Sequence, residues 1–341
     1  MELNFGVGLI TGVDPHVTEP PAMSRWWDGL LDVAVAAEGA GFDSIWASEH
    51  HQAAAQYWGS PLMGLAAIAT RTSRIKLGTA VVLAPFHHPI RLAEDVAMLQ
   101  AISKGRGILG LGLGYRSCEY EAFGIDRTSR SALLERHLRM LPVLLSGQVA
   151  PQGDGVGDAW ISPSAIVRPP ILVGGYAPAA IERAASMADG YIMGVGTSAA
   201  IESNISRLEQ ALGPERQSTY TVALGQSYVF TDSPVEHARM SEGYGFMQSL
   251  NRRWMEDEAS TGSNKQVRLP VMSGLNVDGT TDEVLEHVRS NIERLKNFGT
   301  VHIYFRILFP GLESAELCML IHHVGQRIIV PLREHFSGDI P

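Results

Sequence analysis

Short apolar runs alternate with amphipathic helical patterns along nearly the whole chain. Such alternation predicts parallel strands that are joined by right-handed helical crossovers. The predicted strands cover residues 3–10, 43–48, 75–83, 107–113, 171–175, 190–195, 220–230 and 301–308. Eight strand–helix units in one chain favour a closed (β/α)8 barrel, the TIM-barrel architecture, over an open doubly wound sheet.

The helical patterns have recognisable ends, where capping residues, prolines and glycines occur. They cover a stretch that begins at Ser24, residues 61–73, a stretch from Pro89 to just before Gly105, and residues 129–145, 178–188, 199–212, 234–257, 281–298 and 313–335. Two segments depart from the alternation: an irregular excursion at about 147–170 and an extended segment between strands 7 and 8. Because no interdomain linker is recognisable, residues 1–341 are predicted to form a single domain.

Composition narrows the class of protein. The 341 residues are 45% hydrophobic, and the net charge of −9 comes without any basic cluster. This argues against a nucleic acid or an anionic membrane surface as the partner. Cys118 and Cys318 suggest neither a disulfide framework nor a CxxC site. The first residues lack the basic region of a signal peptide, and no apolar run reaches the roughly 18 residues of a membrane span. These features predict a cytoplasmic protein.

Histidine pairs at residues 50–51, 87–88 and 322–323 raise the question of a metal site. Adjacent side chains point to opposite faces of a strand and diverge by about 100° on a helix, so one pair cannot chelate one ion with both rings. No HxH or HxxxH spacing accompanies the pairs. We therefore predict no metal site.

Glycines at positions 110, 112 and 114 alternate with leucines. With the period of two of a strand, the leucines suit the helix layer and the glycines face the barrel lumen. The overlapping motif GRGILG, residues 105–110, enters a strand instead of opening a helix, which is the reverse of the dinucleotide-binding context. Two interpretations of the glycine row stay open: space for a flat ligand, which we favour, or a local packing constraint.

Two further positions lie where barrel enzymes place functional groups, at the C-terminal ends of strands. His50 follows the second strand beside Glu49, and an imidazole there can act as general acid or base. Gly174 and Gly175 end the fifth strand and Pro178 begins a helix. Free backbone N–H groups at such a helix N-terminus bind phosphate.

Four segments together resemble one known family. They are AEGAGFDSIWASEHH (37–51), RIKLGTAVVLAPFHHPIRLAEDVAMLQAISKGR (74–106), LGLGYRSCEYEAFG (111–124) and ILVGGYAPAAIERAASMADGY (171–191). They look like the bacterial luciferase-like, flavin-dependent monooxygenases, and the C-terminal part is similar as well. The family's fold is a (β/α)8 barrel, which agrees with the strand count.

The resemblance implies roles for individual residues. His50 matches a histidine near the flavin that supports acid–base chemistry, with Glu49 as a catalytic neighbour and His51 on the substrate side. Ala80 and Val81 match a strand bulge behind the flavin ring, where the family often has a non-proline cis peptide. Gly112 matches a position that faces the flavin.

The phosphate end of the flavin site departs from the family pattern. Leu113 stands where the luciferase has an arginine, and the turn after the fifth strand offers Tyr176 instead of Ser or Thr hydroxyls. The resemblance leaves the phosphate to the backbone N–H groups of residues 175–179, after Gly174, with charge from Arg116, Arg127 or Arg130.

The implied function is a two-component flavin-dependent monooxygenase. It would use O2 and reduced FMN from a separate flavin reductase to oxygenate a small, apolar organic substrate, and the family suggests a homodimer. The motif Glu-His-His favours FMN over a deazaflavin coenzyme. A deazaflavin-dependent oxidoreductase and a flavin-binding member without catalysis stay open as alternatives. The excursion at 147–170 and the segment 245–278, with nearby Tyr244, Phe246, Met247 and Trp254, are expected to shape the substrate side.

Overall fold

Parallel pairing runs through the strands and closes them into a barrel. The computed structural model describes residues 1–8, 20–53, 57–150, 158–194, 196–231, 233–260 and 276–336. Its strands are β1 (Glu2–Gly8), β2 (Ser44–Ala47), β3 (Lys76–Thr79), β4 (Val82–Leu83), β5 (Gly107–Gly112), β6 (Ile171–Gly174), β7 (Gly190–Met193), β8 (Thr221–Phe230), β9 (Val277–Gly279) and β10 (Thr300–Arg306).

The barrel consists of β1, β2, β3, β5, β6, β7, β8 and β10 in that order. Closure follows because β10 pairs in parallel with β1 on one side and with β8 on the other. The two short strands extend this ring: β4 continues β3 and pairs with β5, and β9 pairs with the end of β8. The predicted (β/α)8 barrel is confirmed.

Helices cover the outside of the barrel. They are α1 (Pro20–Gly39), α2 (Pro61–Arg71), α3 (Pro89–Ser103), α4 (Ser117–Ala122), α5 (Arg130–Leu145), α6 (Pro178–Met187), α7 (Ser198–Gln217), α8 (Pro234–Ser260), α9 (Thr281–Leu295), α10 (Ser314–Val324) and α11 (Val330–Phe336). Several begin with proline in the first turn, where its missing N–H is not needed. In the described ranges, no helix is both long and apolar enough to cross a bilayer.

The structure corrects several predicted boundaries. The first helix begins at Pro20 instead of Ser24, and the predicted strand 75–83 is two strands separated by a bulge. Helix α7 continues past the predicted end at 212 through a kink, because Gly213 has φ 70°. The predicted helix 313–335 is α10 and α11 joined by a π-helical turn at 325–329, and α4 was not predicted.

Some predicted segments fall partly outside the described residues. They are residues 9–10 and 195 at strand ends, 151–157 of the excursion and 261–275 of the segment between the seventh and eighth barrel strands. The described remainder of the excursion is irregular apart from a bridge between Ala150 and Ala159. The described residues between the seventh and eighth barrel strands form α8, β9 and α9.

The core has two layers that follow the strand alternation. Leu109 and Leu111 of β5 pack outward in the core between barrel and helices. The inward layer fills the lumen with Trp46, Ile108, Leu172, Ile192, Ala223 and Tyr304, each at most 5% exposed. The rings of Trp46 and Tyr304 stack at 5.2 Å. The lumen is therefore a packed core, which leaves the C-terminal ends of the strands as the place for a site.

Candidate active site

Glu49 lies buried just after β2 and accepts hydrogen bonds from three groups. Its carboxylate oxygens lie 2.9 Å from the backbone N of Leu83, 2.7 Å from Nε2 of His51 and 2.9 Å from Nε2 of His87. The side chain is 1% exposed. Burial raises the pKa of Glu49, but the hydrogen bonds from His51 and His87 outweigh it and hold the pKa below its ordinary value. Glu49 is thus an ionised carboxylate that links β2, β4 and the start of α3.

His50 points away from Glu49, as expected for adjacent residues. Its Nδ1 lies 3.4 Å from Oε1 of Glu119, which is longer than the roughly 2.7–3.2 Å of an ordinary N–H···O bond. An ionised carboxylate can only accept, so any hydrogen bond between the two has Nδ1 of His50 as its donor. Among the described residues, Nε2 has no hydrogen-bond partner. It is therefore open to a ligand.

Glu119, on α4, is a site residue that the sequence analysis missed. It is fully buried, and its Oε1 also accepts from the backbone N–H of His51 at 2.9 Å and from Arg116 at 3.1 Å. Its Oε2 has no hydrogen-bond partner within the described part of the chain. Burial raises the pKa of Glu119, while the hydrogen bond and charge of His50, the His51 backbone and Arg116 lower it to a net value below the ordinary one. No local motif marks this residue, because its partners in the loop after β2, His51 and His50, are 68 and 69 positions away.

Aromatic side chains from three segments surround His50. The ring centroid of His50 lies 5.1 Å from Tyr57, 6.1 Å from Tyr115 and 5.0 Å from Trp254. Trp254, on α8, also lies under the guanidinium of Arg116, at 4.3 Å from its ring centroid. Ion pairing of Glu258 with Arg127 at 2.9 Å helps hold α8 against this side of the barrel.

The other α8 residues of the predicted substrate side divide between two clusters. Phe246 joins the cluster of Trp254 and Tyr57, and the Sδ of Met247 accepts from the Tyr57 hydroxyl at 3.8 Å. Tyr244 instead packs against Phe309, at a centroid distance of 5.4 Å.

The bulge between β3 and β4 contains the expected cis peptide, between Ala80 and Val81. It is tied to the loop after β2, because the backbone N of Glu49 lies 3.2 Å from the O of Val81. A Cβ added at Gly112 would overlap Cγ2 of Val81, and one at Gly174 would lie 2.8 Å from Cγ1. Gly110 and Gly112 face the lumen, and Val81 occupies the space beside Gly112, whereas Gly114 lies beyond the end of β5 with φ 73°. The packing interpretation therefore accounts for the space beside Gly112, and a flat ligand at the top of the barrel stays a prediction.

The residues predicted to bind the flavin phosphate lie after β5 and β6. Gly174 and Gly175 precede α6, whose N-cap Ala177 makes no side-chain capping bond. Tyr176 turns inward and covers the end of β7, because a Cβ on Gly194 would overlap its hydroxyl. Arg130 begins α5 and is half-buried, and burial and the charge of Arg127 lower its pKa.

The structure thus brings Glu49, His50, His51, Ala80 and Val81 together, with Gly112 and Gly174 behind the bulge. Among the described residues, no group of three or more His, Cys, Asp or Glu side chains is arranged to hold a metal ion. His87, considered in the sequence only as half of a histidine pair, is a partner of Glu49. The geometry offers one open imidazole nitrogen in an aromatic pocket beside buried carboxylates.

Known proteins share both the sequence pattern and the fold. The chain is 31% identical over 141 residues to the oxygenase component of the flavin-dependent trigonelline monooxygenase of Acinetobacter baylyi; the match covers 41% of this chain and 39% of that protein. It is 38% identical over 112 residues to limonene 1,2-monooxygenase of Rhodococcus erythropolis, covering 33% of this chain and 29% of that protein. These matches span well under half of either relative's length.

A solved structure extends the likeness over the whole fold. Monooxygenase RslO1 from Streptomyces bottropensis superposes with a TM-score of 0.78 at 21% identity, over 96% of this chain and 99% of that one. At this identity the likeness shows the fold alone. The family model described as luciferase-like monooxygenase matches residues 3–295. With the barrel, the bulge and the Glu-His-His segment in place, this match shows that the chain belongs to the luciferase-like monooxygenase family.

Proposed function

We propose that this chain is the oxygenase component of a two-component flavin-dependent monooxygenase that uses reduced FMN and O2 to oxygenate a small organic substrate. The observation that carries the proposal is the placement of His50. Its Nε2 is open, its Nδ1 faces a buried carboxylate, and its ring lies within 5.1 Å of Tyr57 and 5.0 Å of Trp254. The name of the Acinetobacter relative, an oxygenase component, supports a separate reductase as the source of reduced flavin.

The residues present fit FMN at both of its ends. The bulge at Ala80 and Val81 offers an apolar wall for the flavin ring. At the other end, Arg130 is half-buried beside Arg127, and the carboxylate of Glu258, which pairs with Arg127, acts on both positive charges without an ion pair to Arg130 in the described ranges. A phosphate would relieve this excess of positive charge, together with the uncapped N-terminus of α6. Bound reduced FMN would supply the electrons that activate O2.

The protein's own residues hold and move protons at this site. His50 takes up a proton at Nε2 and returns it, while Glu119 holds Nδ1 and so fixes the tautomer and the ring orientation. Glu49, which was predicted to be catalytic, has the contacts of a positioning residue: it holds His51, His87 and the backbone of Leu83 in place. The aromatic side chains around His50 exclude water from the reacting groups.

The deazaflavin alternative has a structural counterpart. The F420-dependent tetrahydromethanopterin reductase of Methanopyrus kandleri superposes with a TM-score of 0.69 at 17% identity over 97% of this chain and all of that one, which shows the fold alone. Titration of the purified protein with FMN and with F420 separates the two cofactors, since only one should bind tightly. Tight binding of F420 with no binding of reduced FMN would refute our assignment.

Activity tests the role of His50. We expect His50→Ala to keep the fold and FMN affinity and to lose about 100-fold in oxygen-dependent product formation, which is within the range of a lost general acid–base group. The assay supplies reduced FMN from a generic flavin reductase and scores incorporation of labelled O2 across a set of candidate compounds. The matched control is His322→Ala, an exposed histidine on α10. FMN binding with no labelled product from any compound would favour a flavin-binding member without catalysis.

A further inference from the structure

Arg306 ends β10, the last barrel strand, and faces the lumen. Strand alternation places it on the same face as His302 and Tyr304, which bond Ser44 and stack on Trp46 inside the barrel. A Cβ added at Gly8 on the neighbouring strand would lie only 3.1 Å from Cγ of Arg306 and 3.4 Å from the Tyr304 ring. Gly8 thus leaves room for the arginine side chain at the top of the lumen.

In the described part of the chain, the guanidinium of Arg306 has no carboxylate partner. Within the described residues it makes neither an ion pair nor a hydrogen bond, although it is half-buried. Arg116 and Arg127, which lie on the His50 side of the site, are each paired with a glutamate, Glu119 and Glu258 respectively. Arg306 therefore places a positive charge at the top of the lumen, with no counterion among the residues that the structure describes.

Tyr304 lies beside Arg306 on the lumen face of β10, and the charge of Arg306 also acts on Tyr57 and Tyr176. Burial raises the pKa of Tyr57 to about 12, and the charge of Arg306 opposes that rise. The pKa values of Tyr176 and Tyr304 are also raised by burial and lowered by Arg306. All three side chains therefore stay as neutral hydroxyls, which can donate hydrogen bonds. One cation with several hydroxyl donors and aromatic walls suits an organic anion that carries an apolar body.

Arg306 lies on a different side of the barrel from the predicted site of the flavin phosphate. Arg130 and the start of α6 flank β5 and β6, whereas β10 lies opposite β5 in the closed barrel. His50 follows β2, between these two sides. An anion at Arg306 would thus place the rest of its molecule toward His50, across the barrel from the phosphate end.

We propose that Arg306 anchors an anionic oxygen group, such as a carboxylate, of the organic substrate, and so selects amphipathic anions over the purely apolar substrates that the sequence suggested. This rests on the proposed function, because it assigns the ligand at Arg306 as the molecule to be oxygenated. Tyr176 and Tyr304 donate to the anion, and Tyr57, whose hydroxyl donates to Met247, lines the body of the molecule. Charge-assisted hydrogen bonds of this kind change affinity by roughly tenfold or more.

The test compares carboxylates with their neutral amides. Acetate and acetamide, benzoate and benzamide, and 2-naphthoate and 2-naphthamide are titrated into wild type, Arg306→Gln and Arg306→Lys, with and without oxidised FMN. We expect at least one carboxylate to bind wild type about tenfold more tightly than its amide. This preference should vanish in Arg306→Gln and survive in part in Arg306→Lys. Arg91→Gln, an exposed arginine with a 70% exposed side chain on α3, is the control for net charge.

A second comparison distinguishes a substrate anion at Arg306 from the phosphate of the flavin. FMN and riboflavin differ by the phosphate, so their affinity ratio reports on the phosphate site alone. We expect Arg306→Gln to leave this ratio within twofold, and a fall in the ratio would assign Arg306 to the flavin and overturn the proposal. No carboxylate preference in wild type, or an unchanged preference in Arg306→Gln, would overturn it as well. Because the carboxylate titration also runs on flavin-free protein, it stands even if FMN binding or oxygenation fails.

Discussion

Replacement of Glu119 by glutamine tests two roles of this residue. One is to stabilise the site, and the other is to position the ring of His50. The amide keeps the size of the side chain but removes its charge. The His51 N–H at 2.9 Å keeps an acceptor, whereas Arg116 at 3.1 Å, only 6% exposed, loses its counterion. Removing one member of a buried ion pair costs about 3–5 kcal/mol. Arg116 keeps its hydrogen bonds to the carbonyls of His51 and Gln52 and its contact with the Trp254 ring. We therefore expect a cost at the low end of this energy range.

We therefore expect Glu119→Gln to lower the free energy of unfolding by about 3 kcal/mol, a large fraction of the roughly 5–15 kcal/mol of a typical domain. Urea unfolding followed by tryptophan fluorescence measures this loss. The matched control is Glu121→Gln, an exposed residue on the same helix, which should change stability by less than about 0.5 kcal/mol.

Nuclear magnetic resonance of the 15N-labelled imidazole tests the positioning role itself. In wild type, Nδ1 of His50 should carry the proton, and in Glu119→Gln the two tautomers should mix. Turnover should fall while FMN affinity stays unchanged, since Glu119 touches His50 and not the residues assigned to the flavin. A stability loss below about 0.5 kcal/mol together with an unaltered His50 tautomer would refute the reasoning.

Three further outcomes are expected. Gly112→Ala should cost about 1–3 kcal/mol of unfolding free energy through overlap with Val81, and adding Val81→Ala should recover part of that loss in the same urea titration. Arg130→Gln should weaken FMN binding about tenfold and riboflavin binding much less in fluorescence titrations, with Arg91→Gln unchanged in both. The lowered pKa of Glu49 adds stability above its ordinary pKa of 4.5 that is lost as the pH falls through the lowered value. Unfolding measured between pH 7 and pH 3 should therefore show an acid loss that is smaller in Glu49→Gln, and an identical profile would contradict the ion pairing.

The barrel was predictable because its strands and its helices each have a clear hydrophobic pattern in the sequence. Strands buried on both faces read as short apolar runs, and the crossover helices carry one apolar face each. The errors lie at boundaries and in short elements. The bulge at Ala80 and Val81 interrupts a continuous apolar run, and α4 has only six residues, too few for a helical period to stand out.

The site was predictable where chemistry is local in sequence. The divergence of His50 and His51 follows from their adjacency, and His50 lies at a strand end. Glu119 and Arg306 were missed because their roles depend on contacts between distant units of the barrel. Gly112 shows the same limit of sequence-based prediction. Periodicity placed it on the lumen face, but only the fold shows that Val81 occupies the adjoining space.

The filled lumen has a kinetic consequence. Trp46 and Tyr304 stack across the interior, and buried side chains pack around them in the described part of the lumen. We therefore expect every molecule that reaches His50 to arrive and depart at the C-terminal end of the barrel. If two molecules bind at different depths, the outer one has to leave before the inner one exchanges. Steady-state kinetics of this protein should accordingly show an ordered release, with the sequence of departures the reverse of the sequence of arrivals.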